Sequence, residues 1–256
     1  MGQCPTKVKT LTTGEARSIV ARVTLWRLPL LSDLTGLAHL FVGRLDTPRP
    51  GPASLIPLLR PGATLPLRTV RQVHSSRCIE VPAPADGEAG EADALVTTLR
   101  GQALGIATAD CLPVIACDAE AGVLSVVHAG WRGTLAGVLD SALDAMTGRC
   151  GARPEAIRVG VGPGVGRCCY VVGREVQEAF AQARPGHAAS IFARAADGSL
   201  HLDLLEANRL AAMERGIRPE HFAALEVCTV CRADLCHSYR VAGPAAGRMW
   251  LLAALI

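Results

Sequence analysis

Aromatic residues are scarce in this chain of 256, at 4%, whereas half of its residues are hydrophobic and 26 are glycine. A core must therefore be packed from Ala, Val and Leu, the balance of a globular enzyme and not of a disordered or fibrous chain. No stretch approaches the ~18 uninterrupted apolar residues of a membrane span, so no membrane partner is expected. No run of Lys or Arg could track a phosphate backbone and the net charge is only +3, so nucleic acid is not expected as a partner either. An internal repeat of solenoid period is also missing. Met1 to Thr13 is polar and lacks the apolar centre of a signal peptide. Ten cysteines without such a leader read as buried thiols or metal ligands in the reducing cytoplasm, not as a disulfide scaffold.

The pattern along the chain predicts an α+β fold, mixed β-sheets flanked by helices in a single large domain. Residues 1–36 are weakly patterned, and the domain proper is expected over 37–256. Prolines 48, 50, 52, 57, 61 and 66 leave no room for a long helix or a central strand. Pro82 to Glu91, rich in Pro, Gly and acid, reads as a loop. Strands are predicted at Leu104–Thr108, Leu112–Ala116, Val123–Val127, Ile157–Val161 and Ala224–Thr229. Helices are predicted at Thr134–Met146, with Thr134 as its cap, and at Arg174–Ala183 and Leu202–Arg215.

Three segments carry metal-competent side chains at strand ends beside small or turn-forming residues: Gln72-Val73-His74, Thr108 to Pro113 with Asp110 and Cys111, and Val127 to Thr134 with His128. Two His and one Cys with an open fourth position are a catalytic zinc set, not a structural one. The carboxylate of Asp110 opposes thiolate formation at Cys111, which handicaps a metal-free nucleophile, whereas Zn²⁺ deprotonates a coordinating thiol outright. The same residues, taken singly, also read as hydrogen-bonded histidines and a buried thiol. Cys228 and Cys231, with Cys236-His237 following, have the spacing of a zinc knuckle or are buried thiols; the Cys168-Cys169 pair reads as buried. Glycines 160, 162, 164 and 166 resemble a phosphate-cradling turn, but no helix follows as that fingerprint requires, and a tight turn is preferred.

At these segments the chain resembles the laccase-domain, or polyphenol oxidase, family, whose members are understood as purine nucleoside phosphorylases with adenosine deaminase activity. The resemblance rests on Gln72-Val73-His74, Ala92 to Thr97, Thr108 to Val114 and His128 to Thr134. It continues through Gly162-Pro163-Gly164, Cys168-Cys169-Tyr170, Leu202-Asp203-Leu204, Ala207-Asn208-Arg209, Cys228-Thr229 with Cys231, and Ser238-Tyr239-Arg240. It implies a zinc site of His74, Cys111 and His128, with copper as another occupant in vitro. It also implies phosphorolysis of adenosine, inosine, guanosine or methylthioadenosine, and deamination of adenosine. Purine nucleosides and inorganic phosphate are then the expected partners.

Asp93 and Asp110 are the candidate acid/base residues, Asp110 alternatively orienting a ligand histidine. Arg44, Arg132 and Arg240 are candidates to bind phosphate. The chain departs from the family where Ala38 to Asp46 lacks a glycine pair, where Val241 replaces a second arginine, and where Cys236-His237 replaces an aromatic pair. A multicopper oxidase draws on many imidazoles, often in His-x-His pairs; this chain has seven His and no such pair. The remaining rivals are a metal-free hydrolase using Cys111 with His74 or His128, and a non-catalytic nucleoside-binding protein.

Overall fold

In the strand Val123–Ala129 every residue is buried, and the side chains alternate between two cores. Val123, Val127 and Ala129 pack to one side, Leu124 and Val126 to the other. The neighbouring strand Leu112–Asp118 divides in the same way, with Leu112, Val114 and Ala116 facing one core and Ile115 and Cys117 the other. Strands buried on both faces read as continuous apolar runs, and here that pattern marks the middle of a layered molecule.

The computed structural model describes residues 23–45 and 51–256. The polar stretch Met1 to Thr13, most of the weakly patterned segment, and Pro48 and Pro50 lie outside these. One six-stranded sheet runs in the order Val23–Trp26, Leu37–Leu45, Met249–Leu255, Ala103–Thr108, Leu67–Arg71, Gly87–Glu91. The other runs Phe222–Ala224, Arg158–Val161, Leu112–Asp118, Val123–Ala129, Ala94–Thr97, Cys78–Glu80. Both contain parallel and antiparallel pairs. Val171–Val172, Leu200–Leu202 and Phe192–Arg194 form a small third sheet.

The core between the two large sheets joins Phe41, Ile106 and Leu251 of the first to Ile115, Leu124 and Val126 of the second. Helices Val138–Gly148 and Leu204–Glu214 cover the far face of the second sheet through Leu139, Leu143 and Ala207. Leu55, Ile56 and Leu59, in short helical turns, cover the far face of the first. The molecule is thus a single α+β domain with mixed sheets. No helix among the described residues is long and apolar enough to cross a membrane.

Four local expectations are corrected. The helix over Thr134–Met146 is two helices, Trp131–Ala136 and Val138–Gly148, divided by Gly137 at φ 84°. The apolar periodicity runs through that break, so only the left-handed glycine betrays it. Thr134 is accordingly no cap; Gly130 precedes the first helix, and the buried Thr134 hydroxyl accepts a hydrogen bond from Asn208 Nδ2 at 3.0 Å. Gly87–Glu91, inside the expected loop, is an edge strand parallel to Leu67–Arg71 with a shifted register. An edge strand needs only one partner and no buried side chains, so its polar composition hides it. The strand expected over Ala224–Thr229 instead spans Phe222–Ala224 and shares only Ala224 with it, after which the chain turns across Gly164 toward Thr229.

The row of glycines at 160–166 is explained by packing. A Cβ on Gly162 would lie 2.3 Å from the Phe41 ring, and one on Gly164 would lie 2.4 Å from Leu112. Close approach to neighbouring side chains requires these glycines, without any role for phosphate.

Candidate metal centre

The Leu67–Arg71 strand leads into a turn that Gln72 pins to the neighbouring strand. Its side chain donates to the Ala107 carbonyl at 2.7 Å and accepts from the Ala107 amide at 2.9 Å. His74 follows at φ 60°, a left-handed conformation that costs an ordinary residue ~1–2 kcal/mol. The buried carboxylate of Asp93 offsets that strain. Its Oδ1 accepts from the His74 amide at 3.0 Å, and its Oδ2 accepts from the amides of Val73 and Ser75 at 3.2 and 2.6 Å and from the Ser75 hydroxyl at 2.9 Å.

The same Asp93 Oδ1 lies 2.8 Å from Nδ1 of His128, a buried residue near the end of the Val123–Ala129 strand. One carboxylate therefore fixes both the backbone of one histidine and the ring of the other. With Nδ1 so engaged, Nε2 of His128 is the nitrogen left to act as a ligand.

Cys111 occupies the turn between Ala103–Thr108 and Leu112–Asp118, where Leu112 pairs with Ala129. That pairing sets the thiol beside His128 and Gly130. Cys111 Sγ lies 3.9 Å from His74 Nε2, and the rings of His74 and His128 meet edge to face with centroids 5.0 Å apart. The Cys111 sulphur and the two histidines offer donor atoms all within 4.8 Å of one another. A Cβ on Gly130 would come within 2.8 Å of the sulphur, so the glycine leaves the space that this cluster fills.

Without a metal the cluster is an ion pair. Burial pushes the Cys111 thiol up, but hydrogen bonds and charge from His128 and His74 outweigh it and bring it down to about 6. Burial disfavours the His128 cation, yet Asp93 and Cys111 raise its pKa to about 9. Burial also opposes the Asp93 anion, and its hydrogen bonds from His128 and Ser75 overcome this and hold it at about 2. The sequence argument that Asp110 would keep Cys111 protonated is thus overruled by the two imidazoles.

Asp110 itself, at φ 89°, accepts from the Thr229 hydroxyl at 2.6 Å and from the Arg240 amide at 2.7 Å. It ties the Cys111 turn to the C-terminal loops. Arg240 lies over the Tyr170 ring at 4.6 Å. Burial and the charge of Cys111 push the Tyr170 phenol up. Tyr170 follows the Cys168-Cys169 pair, and nothing in its local sequence marks it as a site residue. Arg132 stacks on Trp131 at 4.4 Å, in the short helix that leaves Gly130. The Arg44 guanidinium donates to the Ala233 carbonyl at 3.1 Å, and Arg44 lines a cavity of about 440 Å³ with His237, Ser238 and Val241.

The second sulphur-bearing segment behaves differently from its linear spacing. Cys236 is fully buried, and burial raises its thiol to about 12. The Cys228/Cys231 pair instead meets Cys168 and Cys169, from some sixty residues upstream.

Comparison with known proteins bears on these geometries. The profile of the family described as multi-copper polyphenol oxidoreductase laccase matches residues 59–256. An adenosine deaminase, RL5, from an unknown prokaryotic organism is 36% identical over 61% of this chain, a match spanning 59% of that protein. A purine nucleoside phosphorylase of Deinococcus radiodurans is 37% identical over 73% of this chain and 69% of its own length. The crystal structure of YlmD from Geobacillus stearothermophilus superposes with a TM-score of 0.80 over 96% of this chain and 99% of that one, at 24% identity, a likeness of fold. With the profile covering most of its length, the chain belongs to the multi-copper polyphenol oxidoreductase laccase family.

Proposed function

We propose that this protein is a zinc-dependent purine nucleoside phosphorylase that also deaminates adenosine. Its substrates on this reading are adenosine, inosine, guanosine or methylthioadenosine together with inorganic phosphate. The observation that carries the reading is the convergence of the Cys111 sulphur with the His74 and His128 nitrogens, held by Asp93. Relatives named purine nucleoside phosphorylase and adenosine deaminase support the substrate class.

The donor set fits zinc: two imidazoles and one thiol of lowered pKa are three protein ligands with a fourth position left over. Zinc held there would supply Lewis acidity toward an oxygen nucleophile. Asp93 engages five hydrogen-bond donors and Asp110 one on each oxygen, so we assign them positioning roles in place of proton transfer. Asp93 holds the ligand imidazole in the required tautomer. Arg240 and Arg132, each stacked on an aromatic face, are assigned to the phosphate, with Arg44, bonded to the Ala233 carbonyl, as a further cation.

In phosphorolysis a phosphate oxygen bonds to C1′ of the ribose as the bond to N9 breaks, and the purine leaves with a proton. In deamination water adds at C6 and ammonia departs. Ligation through Cys111 requires a reduced thiol, and we assign the protein to the cytoplasm on that ground.

A second reading has its own observation. Cys111, His128 and Asp93 form a hydrogen-bonded series in the manner of a cysteine hydrolase triad. Metal analysis and chelation separate the two. On the zinc reading Cys111→Ala loses metal together with activity, and Cys111→Asp keeps part of both, since carboxylate oxygen also ligates zinc at about 2.0–2.2 Å. A Cys111→Ala protein that keeps the full zinc content of the wild type but not its turnover establishes the hydrolase. Substrate is tested by chromatography of products: free base and ribose 1-phosphate should form only with phosphate present, whereas inosine should form from adenosine without it.

A further inference from the structure

We infer that Cys168, Cys169, Cys228 and Cys231 form a second metal site, a closed four-thiolate centre that takes Zn²⁺ and staples two loops together. All four sulphurs lie within 4.8 Å of one another, with Cys231 Sγ 3.6 Å from that of Cys168 and 3.5 Å from that of Cys169. Four sulphurs around one zinc at ~2.3 Å stand about 3.8 Å apart along the edges of a tetrahedron. A disulfide needs ~2.05 Å, so these sulphurs are spaced for a shared ion and not for bonding to each other.

Hydrophobic burial does not account for the group. Cysteines that serve as small apolar residues are found inside, yet Cys168 and Cys231 are exposed and Cys169 is partly so. Cys117 and Cys236, each buried within the apolar core, show what that alternative looks like in this molecule.

The backbone supplies a second, independent sign. The Gly166 amide donates to Cys228 Sγ at 3.3 Å, and the amides of Val230 and Cys231 point at the same sulphur. Backbone N–H groups gathered on one sulphur hold it in position beside the other three. Each half of the site is also shaped before any ion binds. Arg232 N donates to the Cys228 carbonyl at 2.9 Å, turning the Cys-x2-Cys segment, and the amides of Cys169 and Tyr170 donate to the Gly166 carbonyl at 2.9 and 3.0 Å. Thr229 N bonds Gly164 O at 3.0 Å and so lays the two halves side by side.

Soft thiolates select zinc or cuprous copper, and four of them leave no open position, so the centre is structural. It is separate from the His74–Cys111–His128 cluster in every ligand. Its loops carry Tyr170 and Thr229, which reach Arg240 and Asp110 respectively, so the staple also steadies one wall of the first site.

The test uses the full chain, purified under reducing conditions and loaded with zinc. About two zinc ions per chain are expected for the wild type, about one for Cys168→Ser/Cys231→Ser, and about one for Cys111→Ala. Loaded with Co²⁺, the Cys111→Ala chain should keep a strong thiolate-to-metal absorption. That band should be about four times as intense as the one in Cys168→Ser/Cys231→Ser, four thiolates against one. If the double serine variant does not fold, Cys111→Ala decides alone, with all-sulphur coordination of its remaining zinc by X-ray absorption. A Cys111→Ala chain that binds no zinc overturns the inference, as does a disulfide among these four cysteines in the reduced preparation. Loss of the first site alone leaves the second ion in place, so failure of the functional reading would be seen separately.

Discussion

Replacing Asp93 by Asn removes one charge and almost no volume, yet it should disable the first metal site. Five donors converge on this carboxylate: three reach Oδ2, from Val73, Ser75 and the Ser75 hydroxyl, and two reach Oδ1, from the His74 amide and His128. An amide can turn its oxygen only one way, and three donors outvote two. Its NH₂ then faces the His74 N–H and Nδ1 of His128. The His74 amide loses a charge-assisted bond worth about 1.5–3 kcal/mol, and the retained bonds weaken from charged to neutral strength, for a total near 3 kcal/mol. At ~2–4 °C per kcal/mol for a chain of this size, the metal-free protein should melt about 6–12 °C lower. Nδ1 of His128 must now accept a proton, so the ring's own hydrogen moves to Nε2 and blocks ligation there. Zinc affinity should fall by about 10–100-fold or more. Thermal unfolding after chelation measures the first effect, and competition with a chromophoric chelator measures the second. A variant that melts with the wild type and holds zinc within about two-fold of it would refute the role given to Asp93.

Gly130→Ala is the steric counterpart. The backbone there, at φ −82° and ψ 171°, accepts any residue, but the new Cβ would lie 2.8 Å from Cys111 Sγ, so zinc affinity should drop at least about ten-fold with circular dichroism unchanged. In chelated protein the rate of Cys111 alkylation should rise with pH through about 6, because the thiolate is the reactive form and His128, with its pKa near 9, is still a cation there; an inflection above 8 would contradict the pair. Added zinc should suppress that alkylation. Arg240→Ala should raise the KM for phosphate at least about ten-fold and leave zinc content alone, whereas Arg44→Ala, which removes a guanidinium engaged by the Ala233 carbonyl, should change it less; equal effects would contradict the assignment.

Much of the architecture was legible because strands buried on both faces leave long apolar runs, and Leu112–Asp118 and Val123–Ala129 announce themselves that way. Elements without a buried face were not. Gly87–Glu91 buries no side chain fully and joins its neighbour through the backbone and the exposed Arg71–Glu91 ion pair, and its composition is that of a loop. The break at Gly137 was hidden by side chains whose periodicity continues across it. For the candidate site at His74, Cys111 and His128, local sequence suggests the side chains and family blocks join them, but neither discloses Asp93 as the common support. The four-cysteine cluster shows the limit most clearly. Linear spacing matches Cys228 and Cys231 with the next Cys and His along the chain, whereas the fold supplies Cys168 and Cys169 through the Gly164–Cys228 bridge. A Cys pair without a second pair nearby is a prompt to look for one at long range.

The family's multicopper description can be weighed against what each histidine does. All seven are within the described residues. His39 is buried, accepts from the Leu28 amide at 2.9 Å, and has its pKa lowered to about 4 by burial and by Arg27. His187 is bonded to Glu214 at 2.7 Å, and His201 to the Arg167 carbonyl and to Ser199 at 2.7 and 2.9 Å. His221 borders a cavity lined by Asp118 and Arg153, and His237 packs on Gly247. Among the described residues, His74 and His128 are the imidazoles that share a metal-competent group, and they share it with one thiol. A trinuclear copper cluster draws on many more imidazoles than two, so four-electron oxygen reduction has no set of ligands to stand on here. One ion in a His2Cys site with an open position is what these residues can build, and that supports Lewis-acid chemistry on a bound oxygen nucleophile. Copper loaded into the same three donors should therefore bind without conferring phenol oxidation that couples to water formation. Oxygen consumption measured against phenol consumed, at a four-electron stoichiometry, would overturn that conclusion.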